Sequence, residues 1–120
     1  METMSPNPVW DAESYPSTVE TFAALGDELT IRVWGGDWCG DCRNQLPDFA
    51  AAMDAAGVPE ENIHEYPVDN DKNGELTEEY GIEYIPTIVI ERDGEEIARF
   101  VEREPQPAAV YLADRLQETL

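Results

Sequence analysis

The two cysteines of this 120-residue chain, Cys39 and Cys42, stand two residues apart where a β-prone run gives way to a helical one. Residues 29–34 read as a strand, Gly35-Gly36-Asp37 breaks it, and residues 40–56 keep helical spacing until Gly57. This junction constrains the fold more than any other feature, because a strand must end and a helix must begin where the pair lies. The first sulfur then sits over a helix N-terminus, where unpaired amide hydrogens and the helix dipole favour a thiolate at Cys39. Cys42, one turn further in, is expected to be the more buried. Pro47 falls inside this helix, where it removes a backbone donor and is expected to kink it.

The remaining elements follow from punctuation and periodicity. Ser17 is placed to cap a helix over residues 17–25, with Val19, Phe22 and Ala23 on one face and Gly26 ending it. Residues 62–68 read as a strand and 73–80 as a short helix closed by Gly81. The β-branched run 86–91 leads through Asp93-Gly94, a strong hairpin signal, into a partner strand at 95–101. Val110, Leu112, Ala113, Leu116 and Leu120 recur at helical spacing over 107–120. The order α-β-α-β-α-β-β-α predicts an α/β fold in which a central mixed sheet is flanked by helices on both faces. The length suits one domain, expected at 17–120 behind an irregular lead-in at 1–16 that carries Pro6, Pro8 and Pro16.

Aspartate and glutamate number 27 against 7 lysine and arginine, a formal net charge of −20. Such a field repels nucleic acid and anionic membranes, so neither is an expected partner. The acids are interleaved with apolar residues along the whole chain, which argues against an acidic tail. Lys72 is the single lysine, and a carboxylate-rich, lysine-poor surface is what a halophile's protein needs, since screening lengths fall to about 3 Å at 1 M salt. On that reading the fold is most stable in multimolar KCl. No apolar run approaches the roughly 18 residues of a membrane span, and residues 1–8 have neither a basic start nor an apolar stretch. The expected compartment is the cytoplasm, where a close cysteine pair persists as a catalytic or redox-sensing centre and not as a staple.

Two thiols so placed suit a two-step exchange, in which Cys39 attacks a substrate disulfide and Cys42 resolves the mixed disulfide. Zinc is the competing use of such a pair, but it takes about four ligands, and apart from carboxylates His64 alone is left to join the sulfurs. No metal is therefore expected, and His64 reads as structural or exposed. Residues 69–74 lack the placed glycine and terminal glutamate of a calcium loop, and read as a turn and helix cap.

Four features in order resemble the thioredoxin family over residues 17–120. Trp38-Cys39-Gly40-Asp41-Cys42 is similar to the family's Trp-Cys-Gly-Pro-Cys, and Pro47 falls where thioredoxins kink the same helix. Tyr80-Gly81-Ile82 followed by Ile85-Pro86-Thr87 resembles the family's Tyr-Gly-Ile and Ile-Pro-Thr, and Asp93-Gly94 sits in the following hairpin. The resemblance implies a cis-proline at Pro86 beside the sulfurs, with the backbone of Ile85 offered to an extended substrate. Trp38 is then a partly exposed lip. It also implies a thiol–disulfide oxidoreductase that reduces protein disulfides. Its cofactor is nothing beyond the redox-active Cys39–Cys42 disulfide, it is recharged by a thioredoxin-reductase-like donor, and it works as a monomer. A non-catalytic or redox-sensing binding module on the same fold is the alternative.

Three departures bear on mechanism. Asp41 stands where thioredoxins carry proline, and its carboxylate opposes a nearby thiolate. Val33 aligns with the family's buried aspartate and Glu65 with that aspartate's lysine partner. Either Glu65 acts as a desolvated base for the resolving thiol, or it faces solvent and water takes the proton. Glu102 replaces a groove-flattening glycine. Asp37, Glu83 and Glu102 around the centre are expected to disfavour acidic partners.

Overall fold

The structure, a computed structural model, describes residues 1–119. Its regular elements are α1 (Pro16–Leu25), β1 (Leu29–Gly35), α2 (Gly40–Ala56), β2 (Ile63–Pro67), α3 (Thr77–Tyr80), β3 (Thr87–Arg92), β4 (Glu95–Val101) and α4 (Ala108–Thr119). They follow the expected order. The four strands form one mixed sheet in the order β2-β1-β3-β4, with β1 and β2 parallel and the other two pairings antiparallel. Among the described residues no helix is long and apolar enough to cross a membrane.

Strand alternation divides the core into two unlike halves. Ile31, Val33, Ile88, Ile90, Ala98 and Phe100 share one face, all buried, beneath α2 and α4. Helix α1 packs against both of those helices and so lies on the same side, its Phe22 wholly buried. The opposite face carries Trp34, Tyr66, Arg32, Val89, Glu91 and Arg99. It is covered at one end by the one-turn α3 and the chain leading into it. Trp34 stacks on Tyr66 at 4.9 Å, meets Tyr80 at 5.0 Å and donates from Nε1 to the Glu75 carbonyl at 2.9 Å. Helices therefore lie on both faces, three on one and a single turn on the other.

Charge on that second face is paired. Arg32 reaches Glu91 at 2.7 Å and also donates to the Tyr66 hydroxyl, while the Tyr80 hydroxyl donates to the other Glu91 oxygen. Burial alone raises the Glu91 carboxyl, but the Tyr80 and Arg32 hydrogen bonds outweigh it and hold the group below the usual carboxylate range. The folded state then binds this proton less readily than the unfolded chain does. The stability it contributes is complete above the unfolded value, near 4, and is lost as pH falls through the lower folded value. Denaturation followed from pH 5 downward is expected to show an acid limb that Glu91→Gln flattens.

Local departures from expectation have local causes. Helix α1 starts at Pro16 and not at a Ser17 cap, because proline at the first helical position already has the right φ and lacks a donor that is unpaired there anyway. Thr18 and Phe22 form its buried face while Ala23 is exposed. Helix α3 is one turn instead of 73–80, since Leu76 at φ +63° lies in the left-handed region just before it. The loop ahead is closed by Asp69, which accepts from the amides of Asp71 and Asn73 at 2.9 Å each, a side-chain turn with no ion needed. Asp93 at φ +54° and Gly94 at φ +81° make the two-residue hairpin loop. Leu120, read as the last apolar position of α4, lies outside the described residues.

Residues 1–15 form two single 3-10 turns and irregular chain laid along α2. Asn7 donates its amide to the Pro47 carbonyl at 3.0 Å and its Nδ2 to Asp48 at 2.8 Å, which ties the segment to the proline turn of α2. Trp10 stacks on Tyr15 at 5.3 Å, and Thr3 and Met4 are buried.

Candidate functional site

Cys39 is the N-cap of α2, and its Sγ accepts the Cys42 amide at 3.4 Å. That bond gives the first sulfur one of the orphan donors of the helix start, in the way a serine or aspartate cap would use it. Both cysteines are free thiols; Cys39 is half-buried and Cys42 has no exposed surface. Burial pushes the Cys42 thiol up to about 12, with the Cys39 sulfur adding to the effect. The two sulfurs are thereby differentiated: one capped and accessible, the other enclosed and protonated at neutral pH.

The glycines of the preceding turn are required by close approach. A Cβ on Gly35 would lie 3.3 Å from Cys42 Sγ and 3.1 Å from Leu46 Cδ1, so a larger residue would crowd the buried sulfur and the end of the Leu46 side chain. A Cβ on Gly36 would run into the Trp38 ring, 2.4 Å from Nε1. Trp38 folds back over this glycine, donates Nε1 to the Val68 carbonyl at 3.0 Å, and keeps 45 % of its surface exposed.

Across from this turn the Ile85–Pro86 peptide is cis. The register Trp34↔Thr87 places that bend at the sheet end from which the cysteine loop leaves β1. The Pro86 carbonyl accepts the Glu102 amide at 2.7 Å, while among the described residues the Ile85 amide and carbonyl have no backbone partner.

Glu102 stands at φ +54°, so the backbone keeps the left-handed conformation that suits glycine although a long side chain occupies it. Left-handed backbone costs a non-glycine residue roughly 1–2 kcal/mol, part of which glycine gives back through its greater freedom when unfolded. Glu102→Gly is expected to stabilise the fold by about 0.5–1 kcal/mol in urea unfolding.

Asp41 lies in the first turn of α2, its carboxylate 3.6 Å from Arg103 Nε, so a cation offsets part of the charge it brings to the sulfurs. Val33 is fully buried and its register partner is Glu65. Glu65 is not desolvated: its side chain is 35 % exposed, and Oε1 holds the Met1 ammonium at 2.6 Å. Its exposure matches the reading in which it faces solvent. Asp37 accepts from the Thr3 amide and hydroxyl at 3.0 Å each and from the Glu2 amide at 3.2 Å. These bonds hold its carboxyl below the usual range, led by that of the Thr3 amide. The lead-in thus fixes the orientation of this exposed, ionised carboxylate.

Trp38, Cys39, Asp41, Cys42, Ile85 and Pro86 converge at one end of the sheet, and Glu65 sits at the edge strand, away from that rim. A sequence model of the thioredoxin family matches residues 12–114. The chain belongs to the thioredoxin family. It is 29 % identical over 99 residues to thioredoxin from Chlamydia trachomatis, covering 82 % of this chain and 93 % of that one. It is 31 % identical over 100 residues to thioredoxin from Alicyclobacillus acidocaldarius, covering 79 % and 89 %. Among solved structures, Fasciola hepatica thioredoxin superposes with a TM-score of 0.54 at 24 % identity over 84 % of this chain and 89 % of the other, a likeness of fold. The family is one of thiol–disulfide oxidoreductases, and the closely spaced Cys39 and Cys42 fit its cysteine-pair motif.

Four residues of this rim escape sequence reasoning. Arg43 donates from Nη1 to the Asp37 carbonyl at 3.0 Å, and Lys72 holds its ammonium 5.3 Å from the centre of the Tyr84 ring. Arg103 meets Asp41, and Tyr84 is 48 % exposed immediately before Ile85. The available signal was the lone lysine of an acidic chain and an aromatic two residues ahead of Pro86. Among the described residues no three His, Cys, Asp or Glu side chains are grouped to hold a metal.

Proposed function

We propose that the protein is a protein-disulfide reductase in which Cys39 is the nucleophile and Cys42 the resolving thiol. The Cys39 thiolate attacks one sulfur of a client disulfide. A Cys39–client disulfide forms, the client S–S bond breaks, and the second client sulfur leaves as a thiolate that takes a proton from water. Cys42 then gives up its proton to solvent and attacks Cys39 Sγ, which releases the first client sulfur. Two electrons have passed to the client and a Cys39–Cys42 disulfide remains. A thioredoxin-reductase-like donor returns the pair to the dithiol.

Trp38 and Pro86 wall the approach to Cys39, and the backbone groups of Ile85 offer an extended client a partner for one amide and one carbonyl. The protein is read as a monomer acting in the cytoplasm on protein clients. The observation that carries this reading is the difference between the two sulfurs, one capping a helix and half-exposed, the other sealed beside Gly35.

Insulin reduction driven by dithiothreitol is the test. The protein is expected to shorten the lag before the insulin B chain precipitates, at micromolar concentration. A lag equal to that of dithiothreitol alone overturns the reading in favour of a redox-sensing module.

A further inference from the structure

The seven basic residues fall into two groups. Arg32, Arg92, Arg99 and Arg115 are held by Glu91, Glu28, Glu96 and Glu118 at 2.7, 2.9, 2.7 and 3.2 Å. Arg43 lies one turn beyond Cys39 in α2 and holds the Asp37 carbonyl, Lys72 lies over the ring of Tyr84 immediately before Ile85, and Arg103 meets Asp41; among the described residues Arg43 and Lys72 have no carboxylate partner. In a chain with 27 acidic residues, an unpaired cation is the exception, and both lie on the rim of the redox centre.

Three acids of the same rim are fixed in place by partners within the fold, one of them by a cation. Asp37 is occupied by Thr3 and Glu2, Asp69 by its own loop amides, and Asp41 by Arg103. Asp71, Glu83 and Glu102 are left. Trp38 and Tyr84 are, with Val9, the large apolar side chains left exposed among the described residues, and Lys72 lies over the Tyr84 ring. Exposed aromatic surface topped by a cation accepts the stem and carboxylate of a glutamate together.

We propose that this rim selects clients that carry an acidic residue beside the reducible disulfide, with Lys72 and Arg43 receiving its carboxylate. The proposal rests on the reductase reading above and names its substrate class. It reverses the expectation that Asp37, Glu83 and Glu102 turn acidic partners away. The net charge does not forbid it. At 0.15 M salt the screening length is about 8 Å, so distant carboxylates are damped while a cation in contact is not.

The test uses two synthetic disulfide peptides of one sequence, with glutamate or glutamine flanking the disulfide, reduced by stoichiometric pre-reduced protein at 0.15 M salt. The glutamate peptide is expected to react roughly threefold to tenfold faster, the sum of two surface-type ion pairs. In the Lys72→Gln, Arg43→Gln double variant, checked for folding by circular dichroism, the ratio is expected to fall to about one. Raising the salt on the wild type narrows the ratio without any substitution. Equal rates in the wild type, a faster glutamine peptide, or a ratio unmoved in the folded double variant would overturn the proposal. Reduction of neither peptide would instead sink the reductase reading itself.

Discussion

Cys39→Ser is expected to bring insulin reduction down to the dithiothreitol background, a loss of at least about a thousandfold, with the fold retained. A serine hydroxyl stays protonated at neutral pH and attacks no disulfide, yet it caps a helix as well as the thiol does, since serine is among the preferred N-cap residues. The lost activity therefore reports chemistry and not unfolding. Cys42 does not take over. It has no exposed surface to offer a client sulfur, and burial keeps it protonated. Thermal denaturation of the variant beside the wild type separates the two explanations, because only a misfolded variant would show a collapsed transition.

Trp34→Ala is the substitution with the largest expected effect on stability, about 3–5 kcal/mol, a large part of the 5–15 kcal/mol that holds a domain of this kind together. Trp34 is wholly buried, stacks between Tyr66 and Tyr80, and satisfies the Glu75 carbonyl through Nε1. Removing the ring opens a cavity on the thinly covered face of the sheet. It also frees Tyr80, which anchors Glu91 and, through its own carbonyl, Arg99. Urea unfolding is expected to move to a much lower midpoint. Trp34→Phe, which keeps most of the apolar volume, is expected to recover the greater part. A midpoint within error of the wild type would mean that this face contributes little to the fold.

What the sequence made legible is what is encoded over short distances. The strand-to-helix junction, the Asp93-Gly94 hairpin and the terminal helix are written in glycine, proline and apolar spacing, and the structure has them. The cysteine pair, Trp38 and Pro86 lie within such local signatures. The placement of α1 beside α2 and α4 was not legible, because an apolar helix face says that it must be covered and not by what. The lead-in looked irregular because its order comes from bonds that span the chain: Thr3 to Asp37, Asn7 to Pro47, and Met1 to Glu65. Strand position alone leaves Glu65 open to reading as a desolvated base, because neither its exposure nor its bond to Met1 is visible there. Lys72 and Tyr84 meet only after the sheet brings the loop beyond β2 against the turn before β3. The net charge of −20 bears on solubility and association and says nothing of the fold.

The assignment of attacking and resolving sulfurs is tested most directly by trapping. Cys42→Ser, pre-reduced and mixed with insulin, is expected to stall as a covalent adduct that dithiothreitol releases, with peptide mass mapping placing the new disulfide on Cys39. Cys39→Ser under the same conditions is expected to form none. An adduct on Cys42 in Cys39→Ser, or no adduct on Cys39 in Cys42→Ser while the wild type remains active, would contradict the account.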